Sequence, residues 1–520
     1  MKNLLIKIDK FLDKHALVLL ALLLLLILRI PNLFEPHWYG DESIYLTIGQ
    51  ALRAGQNLYV DIVDHKTPII YYLAMVPNQL WFRVLLIAWM SWSTVMVYLI
   101  SRNLFKNKRS QLLGLFSFVL LTTLPWLEGN IPNGELFVMG FVLTGVAFLF
   151  KTQAWQWLKN KKIKSAKFQF EPAIILTGIF LGLGVLTKVP AILDFAAVGY
   201  LFWLQIFDSQ EKKLVDKIKN FLWQAGQLLA GLLVPILLSI LYFVVKGNGA
   251  AYLQYGLLYN LHYTSTWTQD LGNPIINFIF TLPGKTLILA GLLLTFSLAK
   301  KKFSRRFRFL AGWFCLSLFA SLLSNRPYPH YFQQLIPATS LLLAHVSSFF
   351  KIKKTKNNLK KIIIEAGALF IMMGMVFSIG VILQFKPYPT IEYYQKFYNL
   401  VSGKISAKDY AQSFNYLIRD NTQTAAFLRK NKVKSMFIWG TNPMLYDVSD
   451  TIPADKFTVS FHIQDLKAYD ETMAHLEKNQ PQALVVMKNE SDPFPAFYEF
   501  LKENYSLAND YDHLTIYLKK

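Results

Sequence analysis

The chain has 520 residues, of which 53% are hydrophobic and only 17% charged, and its formal net charge is +22. A soluble protein of this length carries about 25% charged residues, so composition argues against a soluble globular protein. The bases stand in short clusters between apolar blocks, as loop charges that set membrane orientation do, which argues against a nucleic-acid partner. The single cysteine, Cys315, excludes a disulfide framework and a thiolate metal cluster.

The first apolar block, residues 15–30, contains no acid and a single arginine near its end. Lipid forces a backbone to satisfy its own hydrogen bonds, so such a block predicts a spanning helix. Arg29-Ile30-Pro31 follows it in place of a small-residue cleavage site, which reads as an uncleaved first helix. Further blocks lie at 80–101, 111–127, 135–150, 172–187, 190–206, 221–245, 276–299, 309–324, 332–350 and 362–385, which predicts eleven spans and an all-α polytopic membrane domain over 1–385. With eleven spans the basic clusters at 1–14, 102–109, 151–167, 212–219, 300–308 and 351–361 all fall on one side. The positive-inside rule makes that side cytoplasmic, with the amino terminus inside, the carboxyl terminus outside, and the chain in the cell (inner) membrane. The opposite side carries scattered bases, among them Lys66, Lys188, Lys246 and Arg326.

Two outer regions exceed ordinary loops. Residues 31–79 form a first outer loop rich in Asp, His, Tyr and Pro. Residues 386–520 lack a spanning segment and alternate predicted helices (424–430, 469–479, 495–504) with predicted strands (435–440, 483–487, 513–518), the pattern of a small extracytoplasmic α/β domain.

The outer loops hold the groups that could carry chemistry. WYGDESIYLTIGQALRAG (38–55) places Asp41 before an amphipathic helical pattern, as an N-cap with Glu42 favouring the helix dipole, or as an acid pair able to take a proton from a hydroxyl. In VDHKTPIIYYLAM (63–75), Thr67 reads as an N-cap and Pro68 as the first helical residue, so Lys66 stands in front of free backbone N–H groups, an arrangement suited to an anion. His65 and Asp64 beside it are a hydrogen-bond pair or two metal ligands; two adjacent side chains alone are thin support for a metal. In EGNIPNGELFVM (128–139), Asn133 reads as a cap and Glu135 as a second acid. SNRPYPHYFQQLIPA (324–338) offers Arg326, His330 and Tyr331 to phosphate, and Lys188 lies in the outer turn LTKVP (186–190). The aromatic loop 251–267 reads as an interfacial helix. Acids and phosphate-binding bases therefore share the outer side, where a sugar donor has to arrive on a membrane lipid rather than on a cytoplasmic nucleotide.

RIPNLFEPHWYGDESIY (29–45) followed by GQNLYVDIVDHKTPIIYYL (55–73) resembles the start of bacterial members of glycosyltransferase family 39, the GT-C group that includes protein O-mannosyltransferases and the lipid A aminoarabinose transferase. NGELFVMGFVLTG, GIFLGLGVLTKVPAIL, RPYPHYFQQLIPA and MFIWGTNPMLYDVSD continue the resemblance in family order over most of the chain. It implies a multi-span GT-C domain whose active site faces outward and whose donor is a polyprenyl-phosphate-linked sugar. Asp41 then matches the catalytic base, Glu42 continues that motif, Lys66 matches the lysine on the lipid phosphate, and Glu135 the second-loop acid. Arg326, His330 and Tyr331 fall where further phosphate contacts are placed, and Lys188 joins them as an outer base. The aminoarabinose-transferase branch has a glutamate contributing to a metal site just before the lysine; here His65 stands there, which argues against a metal, and no cofactor is otherwise implied. Thr67 replaces the first proline of the branch's Lys-Pro-Pro run.

The expected reaction is an inverting transfer of the sugar to an acceptor hydroxyl on a glycolipid, polysaccharide or protein. A secondary transporter would keep its ionisable groups near mid-bilayer and show repeated halves, whereas here they sit at outer helix ends. A flippase or polymerase of lipid-linked sugars would share the lipid and the outer bases without needing Asp41. A catalytically dead homologue whose tail binds a partner is the remaining alternative.

Overall fold

The computed structural model describes residues 2–160, 169–209, 213–260, 270–351 and 356–520. All eleven apolar blocks are helical. Among the described residues six helices are long and apolar enough to cross a membrane, or seven if the Pro274–Phe280 and Leu282–Leu298 helices, which meet at 75°, form one span. A straight span needs about 20 residues, and four of the predicted blocks form shorter helices, Lys108–Thr123, Pro172–Val185, Arg305–Ser321 and Ile336–Ser347. The last of these is continued at both ends by 3-10 turns, Pro329–Leu335 and Ser348–Lys351. The chain is an integral membrane protein; eleven blocks are helices, and fewer meet the length of a full span. The basic stretches 161–167, 212 and 352–355 lie outside the described residues.

The chain forms two compact units that do not follow sequence order. The first comprises residues 1–30, 86–239 and 261–390. Within it the Lys108–Thr123 helix packs on Ile336–Ser347, Gly134–Phe148 on Pro172–Val185, and Arg305–Ser321 on Ile192–Phe207. Lipid offers no hydrophobic drive between helices, so close approach rests on small residues. A Cβ on Gly178 would lie 2.2 Å from the Leu228 carbonyl oxygen, and one on Gly231 2.1 Å from that of Ile175. The two glycines are thus what lets the Pro172–Val185 and Leu214–Val245 backbones touch.

The second unit comprises residues 31–85, 240–260 and 391–520. Its tail carries a five-stranded sheet of order β2-β1-β3-β5-β4, with β1 Ser435–Trp439, β2 Ile452–Pro453, β3 Ala483–Met487, β4 Tyr505–Asp510 and β5 Leu514–Lys519. β1 pairs in parallel with β2 and β3, whereas β3–β5 and β5–β4 are antiparallel. Alternation of apolar residues along these strands buries Met436, Ile438, Val485, Leu514 and Ile516 against Leu428 and Leu445. The helices Tyr469–Asn479 and Pro495–Asn504 fall where the pattern predicts them. β4 and the Met444–Ser449 and Ser460–Leu466 helices have no counterpart in the sequence reading. YSLAND ends in turn-forming residues, and its strand exists because β5 pairs with it.

In the same unit residues 31–79 fold against the tail. Val63 bridges Phe457, the Thr47 hydroxyl donates to the Pro443 carbonyl, and Gln50 donates to Asp450 at 2.9 Å. The Gly40–Arg53 helix is further anchored by a buried ion cluster. The Arg83 guanidinium donates to both Glu42 oxygens, at 2.8 and 2.7 Å, lies 3.6 Å from Glu35, and bonds the Asn32 carbonyl. The Tyr393 hydroxyl, from the tail, donates to Glu35 and lies 2.9 Å from Asn32 Oδ1. A buried pair of this kind is costly to break singly, because the orphaned charges stay out of water.

Two stability changes follow. Gly178→Val should overpack the helix contact and cost about 1–3 kcal/mol, read as a lower unfolding temperature in detergent, with a Val at the open position Gly226 as the neutral control. Arg83→Met should strand two buried carboxylates and cost about 3–5 kcal/mol, with loss of the monodisperse peak in size exclusion, whereas Glu42→Gln should be milder.

Candidate functional site

Five of the ten predicted site residues, Asp41, Glu42, Asp64, His65 and Lys66, lie in the second unit, and five, Glu135, Lys188, Arg326, His330 and Tyr331, in the first. In the second unit, helix Gly40–Arg53 begins two residues earlier than an Asp41 cap implies. Tyr39 occupies the N-cap with no side-chain cap bond. Asp41 therefore sits in the first turn with 30% of its side chain exposed, accepting a 3.3 Å hydrogen bond from the Tyr45 hydroxyl. Its carboxylate is not consumed by capping. Glu42 is fully buried with both oxygens committed to Arg83 and one to Gln79 as well. That geometry makes Glu42 an anchor of the helix that carries Asp41.

Lys66 brings the two carboxylates of the loop together. Its Nζ lies 3.7 Å from Asp41 Oδ2 and 3.6 Å from Asp64 Oδ2, and 5.0 Å from the centre of the Tyr45 ring. The backbone around it is pinned by tyrosines: Tyr59 OH donates to the Lys66 carbonyl at 2.8 Å, and the Lys66 N–H donates to Tyr71 OH at 3.1 Å. The helix that follows is shorter than the sequence implies, Ile69–Leu73, capped by Pro68 rather than Thr67. A five-residue helix has little dipole to offer an anion, so the positive character of this spot rests on the ammonium.

Asp64 is the buried centre of the cluster. Tyr71 OH donates to its Oδ2 at 2.6 Å, while His65 Nδ1 and His462 Nε2 approach Oδ1 at 3.0 and 3.2 Å. Burial by itself pushes this carboxyl up, but the Lys66 ammonium and the adjacent His65 and His462 imidazoles together hold it well below the usual carboxylate range. Burial pushes His65 down to about 4, so it is neutral at pH 7. The Tyr71 hydroxyl is pushed well above the phenol range by burial and then by the Asp64 charge. His462 comes from the Ser460–Leu466 helix of the tail, some 400 residues along the chain from Asp64 and His65, and the sequence reading missed it. Asp64, His65 and His462 offer one carboxylate and two imidazoles with donor atoms within 4.8 Å of one another. That donor chemistry is the one zinc sites use, so the residues fit a divalent ion better than the His65 position alone implies.

In the first unit, Lys188 pairs with Glu135 and lies 4.6 Å from the centre of the Tyr331 ring. His330 Nδ1 lies 2.5 Å from Glu128, and the His330 and Tyr331 rings meet edge to face. Glu128 stands in the left-handed region (φ 55) after the turn Pro125–Leu127, a position only the three-dimensional structure singles out. Asn133 is the N-cap of the Gly134–Phe148 helix but makes no side-chain cap bond. Arg326 lies in the turn that precedes the Pro329–Leu335 helix. Residues 261–267 of the aromatic loop lie outside the described residues; its described part includes a π-helix, Tyr252–Leu258, whose Tyr252 and Tyr255 are buried.

Residues 66–248 match the family model of dolichyl-phosphate-mannose-protein mannosyltransferase. No curated protein matches at a significant level. Among solved structures, ArnT from Cupriavidus metallidurans bound to undecaprenyl phosphate superposes with a TM-score of 0.55 at 12% identity, over 97% of this chain and 98% of that one. The apo state of the same enzyme gives 0.53 at 13%, with the same coverage. Residues 66–248 are thus similar to that mannosyltransferase family, and over almost its whole length the chain shares the fold of ArnT.

Proposed function

We propose that the chain is an inverting glycosyltransferase that moves a sugar from a polyprenyl-phosphate carrier to an acceptor hydroxyl on the outer face of the cell membrane. The observation that carries this reading is the partly exposed Asp41 carboxylate held 3.7 Å from the Lys66 ammonium, a base beside a phosphate-binding cation. The undecaprenyl phosphate bound by the structurally similar ArnT supports a lipid phosphate as the donor's carrier.

In this reading Asp41 takes the proton of the acceptor hydroxyl as its oxygen attacks the anomeric carbon. The bond from that carbon to the phosphate oxygen breaks, the electron pair leaves with the lipid phosphate, and the anomeric configuration inverts. Lys66 exchanges its contacts with Asp41 and Asp64 for the phosphate and stabilises its growing charge, commonly the largest catalytic term. Glu42 positions Asp41 through the Arg83 clamp. Lys188, Arg326, His330 and Tyr331 are assigned to further phosphate contacts and Glu135 to the second acid, with Glu135 orienting Lys188 and Glu128 orienting His330. Asp64, His65 and His462 would hold a divalent ion, whose chemistry there is a fixed positive charge. The domain assignment that accompanies this reading is a GT-C membrane domain over 1–385 with eleven spans and an extracytoplasmic α/β domain over 386–520, the first outer loop being catalytic.

Sugar release from a radiolabelled polyprenyl-phosphate hexose in liposomes tests the assignment. Asp41→Asn should lower kcat by about 10²- to 10⁴-fold while leaving retention of the lipid phosphate within a few-fold. Lys66→Gln should instead weaken lipid-phosphate retention by about 10- to 100-fold, the worth of a charge-assisted hydrogen bond. No transfer by either wild type or Asp41→Asn with several donors, together with movement of lipid across the bilayer, would favour the flippase reading.

A further inference from the structure

Lys246 is an outer base to which the proposed reaction gives no role. It follows the last residue of the Leu214–Val245 helix, and Gly247, at φ +79, turns the chain away immediately after it. The end of that helix is apolar and open: Leu241, Val244 and Val245 are all exposed, Val245 by 78%. On a helix long and apolar enough to span a membrane, such a face meets acyl chains. The Lys246 ammonium stands 5.3 Å from the centre of the Tyr242 ring, and the Tyr242 and Tyr72 hydroxyls are 3.4 Å apart. Among the described residues Lys246 has no carboxylate partner.

These groups edge a cavity of about 120 Å³ that contains no acidic residue in its lining. Asn248 lines it as well; only 9% of that residue is exposed, and its side chain has no hydrogen-bond partner among the described residues. Leu58, Met75 and Phe243 supply apolar wall. One ammonium, two phenols and the amides of Gln56, Asn57 and Asn248 around an acid-free cavity can donate to a singly charged oxyanion. A phosphodiester, whether of a bilayer phospholipid or of the sugar-linked donor, carries one charge, whereas a phosphomonoester such as the released carrier approaches two near neutral pH and calls for more than one cation. We propose that this cavity binds the phosphodiester headgroup of an anionic bilayer phospholipid, with its acyl chains along Leu241, Val244 and Val245. The Phe243 wall packs 5.4 Å from the Tyr59 ring, whose hydroxyl holds the Lys66 carbonyl, so the lipid would brace the segment that carries Lys66.

The test is native mass spectrometry of the delipidated full chain with an equimolar mixture of phosphatidylglycerol and phosphatidylcholine, alongside undecaprenyl phosphate and a polyprenyl-phosphate hexose in separate arms. Wild type should retain phosphatidylglycerol about five-fold over phosphatidylcholine, the effect of one base at a membrane surface. Lys246→Gln and the cavity-filling Asn248→Leu, each first checked for a monodisperse peak, should both bring the ratio to about one. Equal retention of the two lipids by wild type, or an unchanged preference in Lys246→Gln, overturns the proposal. So does a Lys246→Gln that loses undecaprenyl phosphate or the polyprenyl-phosphate hexose but keeps phosphatidylglycerol, since the cavity would then serve the carrier lipid. Lys66→Gln should leave the phosphatidylglycerol ratio unchanged, which separates this site from the proposed reaction.

Discussion

A single buried carboxylate organises the second unit. Asp64 cannot reach water, so its charge persists only because a phenol, an ammonium and two imidazoles surround it. Those partners come from three parts of the fold: Tyr71 from the short helix after the loop, His65 and Lys66 from the loop itself, and His462 from the tail. A carboxylate with that many obligations fixes the backbone around it, because moving any partner leaves a buried charge less compensated. The placement of Lys66 beside Asp41 is a consequence, since the lysine is held from one side by Asp64 and its backbone by Tyr59 and Tyr71.

The Arg83 cluster does for Asp41 what Asp64 does for Lys66. It spends Glu42 entirely on anchoring, which separates two adjacent acids that look interchangeable in a linear motif. One faces the helix interior and meets a guanidinium; its neighbour, about 100° round the helix, stays partly exposed. The tail contributes to both clusters, through Tyr393 in one and His462 in the other. Its α/β fold therefore has a mechanical part in the second unit beyond any role in docking an acceptor.

The helical blocks were plain in the residues because a lipid-facing helix leaves an unbroken apolar run, and the strands Ser435–Trp439 and Ala483–Met487 were plain because their apolar runs are short and bounded. Span length was less legible. The Ile336–Ser347 helix is prolonged by 3-10 turns, and a hydrophobic run does not distinguish those from α-helix. Asp41, Asp64, His65 and Lys66 stood out because their loop is dense in ionisable residues between apolar neighbours. Glu128, Arg83, Tyr393 and His462 did not, since an isolated acid, base, tyrosine or histidine has no local signature until its partner is known.

By itself, then, the order of residues determined that the chain lies in a membrane, where its helices run, and which short loops concentrate acids and bases. These are local properties, written in runs and spacings of a few residues. The tertiary structure alone decided which of two neighbouring glutamic and aspartic acids stays accessible, which histidine of the tail meets Asp64, and that residues 31–85, 240–260 and 391–520 form one compact unit. Those outcomes depend on burial and on partners separated by up to 400 residues, and the electrostatic cost of a buried charge, which selects among them, exists only once the chain has closed around it.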